Sequence, residues 1–268
     1  MQSFDERISG LDLSLFEGIP SQTTDGDRTS LLSIQSAMRN RLESYVYLEI
    51  GSYHGGSIQP HLLDSTCCKI YSIDKRPEKQ GDERGAFSYS EGLTEVMIEK
   101  LKAVCPEQID KIKTFDMDAS ELNPDEVKEA PDLFFIDGEH TDAAVVSDFN
   151  AIRPLIKKPC IVGFHDCQIV FRGIIDILDG LKTEGVLFKA YSLPNFVFVI
   201  ELNGFSLHED PAIQKLLVEN YQSYLPSMNS MYKHREFCNH LVPKLYIRAY
   251  KNLYRFYSKT LRPLLRRE

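Results

Sequence analysis

Long apolar runs and paired cysteine motifs are both missing from the 268-residue sequence. No apolar stretch approaches the roughly 18 residues that a membrane-spanning helix requires. The first ten residues are acidic and lack an apolar core, so we expect no secretory signal there. The six cysteines include no Cys-x-x-Cys pair, which disfavours zinc sites and disulfide frameworks and favours reduced thiols in a cytoplasmic protein.

Acidic residues outnumber basic residues over most of the chain. Residues 231–268 contain ten Lys and Arg and two acids, a net charge of +8. The whole chain carries −8, so the remainder carries −16. An acidic body of this kind argues against nucleic acid as the main partner. The basic end requires a separate explanation.

Short apolar segments rich in β-forming residues alternate with helical patterns along the middle of the chain. Helical patterns lie near 57–64, 91–104, 142–153 and 169–182. The strand-like segments between them are Tyr45–Ile50, Lys69–Ile73, Lys111–Phe115, Leu133–Ile136 and Cys160–Phe164. Unbroken apolar strands separated by helices predict a parallel sheet that is covered on both faces.

Two further strands, Val186–Tyr191 and Phe196–Leu202, are predicted to form a hairpin, so at least one of them runs antiparallel to its neighbour. The predicted fold class is therefore α/β, a doubly wound and mostly parallel seven-stranded sheet. We expect three regions: an N-terminal helical segment over 1–43, the α/β domain over 44–204, and a C-terminal cap with a helix over 205–268. Residues 1–26 look irregular, with a helix near 28–42, and 205–240 lack clear periodicity.

A glycine-rich turn follows the first strand, in the sequence Leu48-Glu49-Ile50-Gly51-Ser52-Tyr53-His54-Gly55-Gly56-Ser57. Glycine lets the backbone approach a ligand, and Asp74 at the end of the second strand is placed to accept hydrogen bonds from a ribose diol. A dinucleotide fingerprint requires a second glycine where this chain has Tyr53, which would crowd a pyrophosphate. Glu49 would also sit badly beside phosphates, but it suits the cationic amino-acid end of S-adenosylmethionine. The alternative is that Glu49 only pairs locally.

The segments LEIGSYHGGS, YSIDKRP, FFIDGEHT and GFHD resemble methyltransferase family 24. This family is related to the catechol, cephalosporin and macrolide-sugar O-methyltransferases, and the resemblance covers roughly residues 44–202. It implies a class I, Rossmann-like, S-adenosylmethionine-dependent enzyme. Residues implied to bind the cofactor are Glu49, Gly51, Ser52, Tyr53, Gly55 and Ser57 around the methionine part, Asp74 at the ribose, and Asp118 and Ala119 beside the adenine.

Acids and histidines follow the fourth and fifth strands. In a sheet ordered third, second, first, fourth, fifth, these strand ends are neighbours about 5 Å apart. Asp137, His140, His165 and Asp166 should therefore converge, which indicates acid–base catalysis or a divalent metal. By the resemblance, Asp137, His165 and Asp166 would bind the metal, Mg or Mn, while His140 is the general base and Asp137 is also catalytic.

His165 leaves alternatives open, because magnesium prefers oxygen ligands. It would otherwise orient the substrate without a metal or hydrogen-bond to a neighbour. We expect Asp148, on the helix after the fourth strand, to pair with a basic residue.

The expected function is methyl transfer from S-adenosylmethionine to a hydroxyl of a sugar, glycan or related small molecule, with assistance from a metal. The sugar or glycan acceptor is inferred from the family resemblance alone. Two alternatives stay open. One is a non-catalytic Rossmann-like protein that acts as a scaffold in glycan or natural-product biosynthesis. The other is an enzyme that binds a nucleotide sugar or a nicotinamide cofactor.

The basic end predicts an amphipathic helix over 244–265. Its apolar stripe is Tyr246, Tyr250, Leu253, Tyr257, Leu261 and Leu264, and its basic face is Lys244, Arg248, Lys251, Arg255, Lys259 and Arg262. Such a helix suits the anionic inner face of a membrane. The alternative is that the stripe packs on the domain or on a second copy of the chain in a homo-oligomer.

Overall fold

The computed structural model describes residues 2–85, 87–89 and 93–256. The α-helices are α1 (Phe4–Ser9), α2 (Asp25–Arg41), α3 (Gln59–Leu63), α4 (Thr94–Val104), α5 (Asp142–Ile152), α6 (Phe171–Thr183), α7 (Pro211–Asn239) and α8 (Leu241–Phe256). The strands are β1 (Tyr45–Ile50), β2 (Cys67–Ile73), β3 (Lys79–Gln80), β4 (Phe87–Ser88), β5 (Ile112–Phe115), β6 (Leu133–Ile136), β7 (Cys160–Phe164), β8 (Phe188–Ser192) and β9 (Phe198–Leu202).

Seven of the strands form one sheet in the order β5-β2-β1-β6-β7-β9-β8. The first five are parallel, and β9 runs antiparallel to both β7 and β8. The strands β1, β6 and β7 are buried along their whole length, since helices cover both faces of the sheet. The predicted fold class is confirmed. The loop between β2 and α4 adds a small ribbon of β3 and β4, which the sequence analysis did not predict.

The N-terminal segment is more regular than predicted. Ser3 and Glu6 form a capping box at the start of α1, and Thr24 and Asp27 form another at the start of α2. Such boxes satisfy backbone N–H groups that have no partner within the helix. The prediction that residues 1–26 are irregular is therefore wrong for α1 and for the first residues of α2.

The C-terminal region consists mainly of the helices α7 and α8 in its described part. The helix α7 begins after Asp210, whose side chain accepts from the N–H of Ala212. It packs against α2 and β8, so tertiary contacts support a helix whose sequence lacks a strong period. Of the predicted helix over 244–265, residues 257–265 lie outside the described residues. No described helix is long and apolar enough to cross a membrane.

Candidate active site

A cavity of about 270 Å³ opens at the carboxyl edge of the sheet. We call it the first cavity. The ends of β1, β6 and β7 form its floor, and the segment from Pro20 to Asp27 closes one side. Of the predicted site residues, those that line it are Gly51, Ser52, Tyr53, Ser57, Asp74, Asp137, His140, His165 and Asp166.

The turn after β1 depends on glycine because the end of β6 lies against it. Gly51 has φ +88°, and a Cβ atom there would lie 2.2 Å from the carbonyl oxygen of Asp137. Gly55 has φ +82°, and its Cβ would meet Leu101 at 2.9 Å. Gly55 faces the core instead of the cavity. The turn is held from the other side by Asp74, whose Oδ2 accepts from the N–H of Tyr53 at 2.8 Å.

Glu49 lies behind this turn and does not line the cavity. Its fully buried carboxyl accepts hydrogen bonds from Ser57 and from the hydroxyl of Tyr47. Burial raises the pKa of Glu49 to about 8, although the hydrogen bond from Ser57 opposes the shift. The structure thus has the local pairing that was the alternative for Glu49.

A second cavity, of about 280 Å³, continues from the first past Gly51, Asp74 and Gln80, which line both. The predicted residues Asp118 and Ala119 line it. Asp118 also caps a turn of 3-10 helix by accepting from Ser120, and it pairs with Lys75 at 3.4 Å. The two cavities together form one elongated site across the carboxyl ends of β1, β2, β5 and β6, where open α/β sheets bind ligands.

The predicted acids and histidines after β6 and β7 do converge. The Nδ1 atom of His165 lies 3.0 Å from Oδ1 of Asp137. The Nε2 atom of His140 lies 3.3 Å from Oδ2 of Asp166 and 3.6 Å from Oδ1 of Asp137. Asp166 adopts a left-handed backbone conformation, with φ +48°, at the point where the chain turns away from β7.

These contacts shift the protonation of both imidazoles. Burial opposes the charged form of His140, but hydrogen bonds with Asp137 and Asp82 outweigh it and raise the pKa of His140 to about 9. Burial likewise opposes the charge on His165, but Asp137 and Asp27 raise its pKa well above the usual value. Burial disfavours ionisation of Asp137, yet the two histidines lower its pKa to about 2. The surroundings therefore favour the cationic form of both histidines.

Two acids that the sequence analysis missed complete the cluster. Asp82, in the loop after β3, accepts from Nδ1 of His140 at 3.2 Å and also binds Arg84. Asp27, at the start of α2, lies 3.5 Å from Nε2 of His165 and accepts from the backbone N–H of Phe196. The capping pattern from Thr24 to Asp27 was a readable signal for the start of α2. No motif marked Asp82.

The predicted metal ligands contact one another directly in this structure. Among residues 2–85, 87–89 and 93–256, no group of three or more His, Cys, Asp or Glu side chains is arranged to hold a metal ion. The predicted ligands Asp137, His165 and Asp166 instead form imidazole–carboxylate contacts. The divalent metal therefore stays a prediction, and we derive no catalytic step from it.

Comparison with known families bears directly on this site. Residues 48–167 match the model of a methyltransferase domain, that of methyltransferase family 24. This segment is a methyltransferase domain. The resemblance to family 24 of the S-adenosylmethionine-dependent methyltransferases is thereby confirmed, and so is the prediction that the chain is an enzyme of this type. The match contains the glycine turn, Asp74, Asp137, His140, His165 and Asp166.

Two solved structures share the fold. CalS11, a TDP-rhamnose 3′-O-methyltransferase of calicheamicin biosynthesis, superposes with a TM-score of 0.50 at 17% identity, over 75% of this chain and 94% of that chain. Cofactor-bound Rv0187 from MTB superposes with a TM-score of 0.50 at 13% identity, over 74% and 89%. No curated protein matches the sequence.

Proposed function

We propose that this methyltransferase domain transfers the methyl group of S-adenosylmethionine to a hydroxyl of a sugar or glycan. One observation carries the proposal: the imidazole–carboxylate cluster and the glycine turn line the same cavity, which continues into a second cavity at the strand ends. Methyl transfer requires that the methyl donor and the hydroxyl acceptor bind side by side, and two connected cavities would allow this. The sugar is proposed by analogy with CalS11, whose name gives TDP-rhamnose as its substrate.

The two cavities suit the two ends of the methyl donor. The second cavity, with Met117 and Ala119 among its apolar walls, would hold the adenosine part. Asp74 stands at the junction, where a ribose diol would lie, and the Gly51 turn would hold the methionine part. When bound, S-adenosylmethionine supplies a methyl group on a sulfonium centre, which is open to attack by an oxygen nucleophile.

The rest of the first cavity suits a sugar. Tyr53 and Tyr89 meet edge-on with ring centroids 5.4 Å apart, and Phe196 lies on the same lining. Gln80 and Arg84 bring hydrogen-bonding groups to this lining. Aromatic faces combined with a few polar groups are typical of sites that orient a small polar ligand.

The acceptor hydroxyl must lose its proton during methyl transfer, and this step needs a base because an alcohol is a very weak acid. We assign its removal to His140, which lines the cavity and contacts Asp166 through Nε2. With a pKa of about 9, only roughly one His140 in a hundred is neutral at pH 7, so the reaction should accelerate as the pH rises.

Titration calorimetry with S-adenosylhomocysteine tests the donor site. Gly51→Val should weaken binding by at least roughly tenfold, because its Cβ would collide with the backbone at Asp137. Asp74→Ala should weaken it similarly. Gly180→Val is the matched control, since a Cβ at Gly180 meets nothing within 4 Å. Affinities equal to that of the unmodified chain in both test variants would contradict the cofactor assignment. Tight binding without methyl transfer to any hydroxyl would favour a non-catalytic partner protein.

We also propose that α8 attaches the enzyme to an anionic membrane surface. Six large apolar side chains of this helix are 58–75% exposed, namely Leu241, Val242, Leu245, Tyr246, Tyr250 and Leu253. Lys244, Arg248 and Lys251 are exposed along an adjacent face. An exposed apolar face flanked by basic residues complements anionic lipid, and each basic residue contributes about 1 kcal/mol near such a surface. The enzyme bound in this way would have access to a lipid-linked glycan at the membrane surface.

A further inference from the structure

A buried acid in the second cavity plays no part in the chemistry above. Asp148, on α5, is 8% exposed and lines this cavity. The prediction that it pairs with a basic residue is wrong, since Lys75 pairs with Asp118 and Glu139 instead. Among the described residues, Asp148 has no hydrogen-bond or ion-pair partner. Its carboxyl group reaches the cavity, so a ligand bound there would supply its hydrogen-bond partners.

The space in front of Asp148 is kept open by a glycine. A Cβ atom at Gly138 would lie 3.1 Å from Oδ2 of Asp148. The surrounding walls include the apolar side chains of Ile50, Ile73 and Met117. The same lining also carries polar and charged side chains, among them Lys75, Gln80 and Glu139. A flat heteroaromatic ring suits this mixture, because it packs on apolar walls and hydrogen-bonds through its edge.

We propose that Asp148, as a neutral carboxylic acid, recognises the adenine ring of the methyl donor. Its O–H would donate to a ring nitrogen, and its carbonyl oxygen would accept from the amino group. This inference rests on the proposed use of S-adenosylmethionine, and it assigns to Asp148 the choice of the base.

The surroundings of Asp148 favour the neutral form. Burial and the charge of Asp118 raise the pKa of Asp148 to about 7, while Lys75 opposes the shift and Glu139 adds to it. These three groups face Asp148 from the segments after β5, β2 and β6. The pKa of Asp118 is lowered and that of Lys75 is raised, so both keep their charge between pH 6 and pH 9. A carboxylate has only acceptor atoms and would repel the lone pair of a ring nitrogen.

Calorimetry with S-adenosylhomocysteine from pH 6 to pH 8.5 tests the assignment on three proteins: the unmodified chain, Asp148→Asn and Asp148→Ala. The affinity of the unmodified chain should fall by up to roughly tenfold per pH unit above 7, as the acid ionises. Asp148→Asn presents an amide N–H and a carbonyl in the same places, so it should bind well and lose this pH dependence. Asp148→Ala should bind about tenfold more weakly at pH 6. Melting temperatures establish that each variant is folded.

The outcomes separate the two proposals. If the unmodified chain does not bind S-adenosylhomocysteine at any pH, the proposed function fails, and the role of Asp148 fails with it. If the unmodified chain binds but shares its affinity and pH profile with both variants, only the role of Asp148 is overturned. A flat profile for Asp148→Asn beside a falling one for the unmodified chain supports it.

Discussion

The Nδ1 atom of His140 lies 3.2 Å from Oδ2 of Asp82, a residue in the loop after β3. On the opposite side of the ring, Nε2 lies 3.3 Å from Asp166. The imidazole that lines the first cavity is thus held between carboxylates from two separate parts of the chain. Asp82 would be a positioning residue in the proposed reaction, because it contacts His140 and Arg84, which both line the first cavity.

The pH profile of methyl transfer should report His140. We expect kcat to rise with pH towards about 9, since only the neutral imidazole accepts a proton. Asp82→Asn removes one of the hydrogen bonds that raise the pKa of His140, so the rise should shift to lower pH. His140→Ala should lower kcat by roughly a hundredfold or more. An unshifted pH profile in Asp82→Asn would show that Asp82 does not influence the proton transfer. Unchanged affinity for S-adenosylhomocysteine serves as the control.

Asp137 should act on the acceptor side only. We expect Asp137→Ala to abolish methyl transfer, because the carboxylate anchors His165 and contacts His140. Affinity for S-adenosylhomocysteine should stay within a few-fold of the unmodified value, measured by calorimetry. A parallel loss of cofactor binding would place Asp137 in the donor site instead.

The metal prediction is tested by its competition with protons. A metal on Asp137, His165 and Asp166 must displace the proton of His165, whose pKa is raised by Asp137 and Asp27 against the effect of burial. Mn²⁺ or Mg²⁺ should then raise the melting temperature more at pH 9 than at pH 6, and EDTA should stop methyl transfer. No shift at either pH, together with full activity in EDTA, would dispose of the metal.

The start of α2 should contribute measurably to stability through Asp27. Although burial opposes ionisation, hydrogen bonds with His165 and Thr24 lower the pKa of Asp27. Its contribution is therefore present above the ordinary value of 3.8 and is lost as the pH falls through the lowered pKa. At pH 7, Asp27→Asn should reduce the free energy of unfolding by about 1–2 kcal/mol, measured by urea denaturation.

Asp25→Asn is the matched control for this experiment. Its side chain is 81% exposed and pairs only with Arg28 at 3.4 Å among the contacts described. Surface pairs of this kind contribute little, so its unfolding midpoint should match that of the unmodified chain. Equal destabilisation by both substitutions would show that Asp27 acts only as an end charge of the helix.

Liposome flotation tests the membrane role of α8. Replacing Lys244, Arg248 and Lys251 together by Gln should release the full chain from anionic vesicles at low salt. The control replaces Lys182, Lys189 and Lys215, which are exposed elsewhere, and removes the same charge. Equal recovery of all proteins in the unbound fraction would exclude membrane attachment. If Leu245→Ser and Leu253→Ser instead change the oligomeric state, the apolar face is a contact between copies of the chain.

The strands of the parallel sheet were predicted from local sequence, and the meeting of Asp137, His140, His165 and Asp166 was predicted from those strands together with an assumed strand order. Strands that are buried on both faces are apolar along most of their length, so β1, β6 and β7 can be recognised in the sequence as apolar runs. Parallel neighbours end at the same edge, so the residues after β6 and β7 had to converge. The turn after β1 could be recognised from its glycines, because the positive φ of Gly51 and the close approach of Asp137 exclude most side chains at that position.

Only the tertiary structure decided which further groups surround that edge. Asp27 and Asp82 reach the histidines from segments far away in sequence, and their positions depend on how α2 and the loop after β3 pack on the sheet. The surroundings of Asp148 could not be predicted from the sequence either. Its place on α5 was predicted, but it lacks an ion-pair partner because Lys75 pairs with Asp118 and Glu139. The hydrophobic period and the composition of a segment predict which of its residues are buried. The partner of a charged side chain instead depends on which side chains of other elements lie next to it.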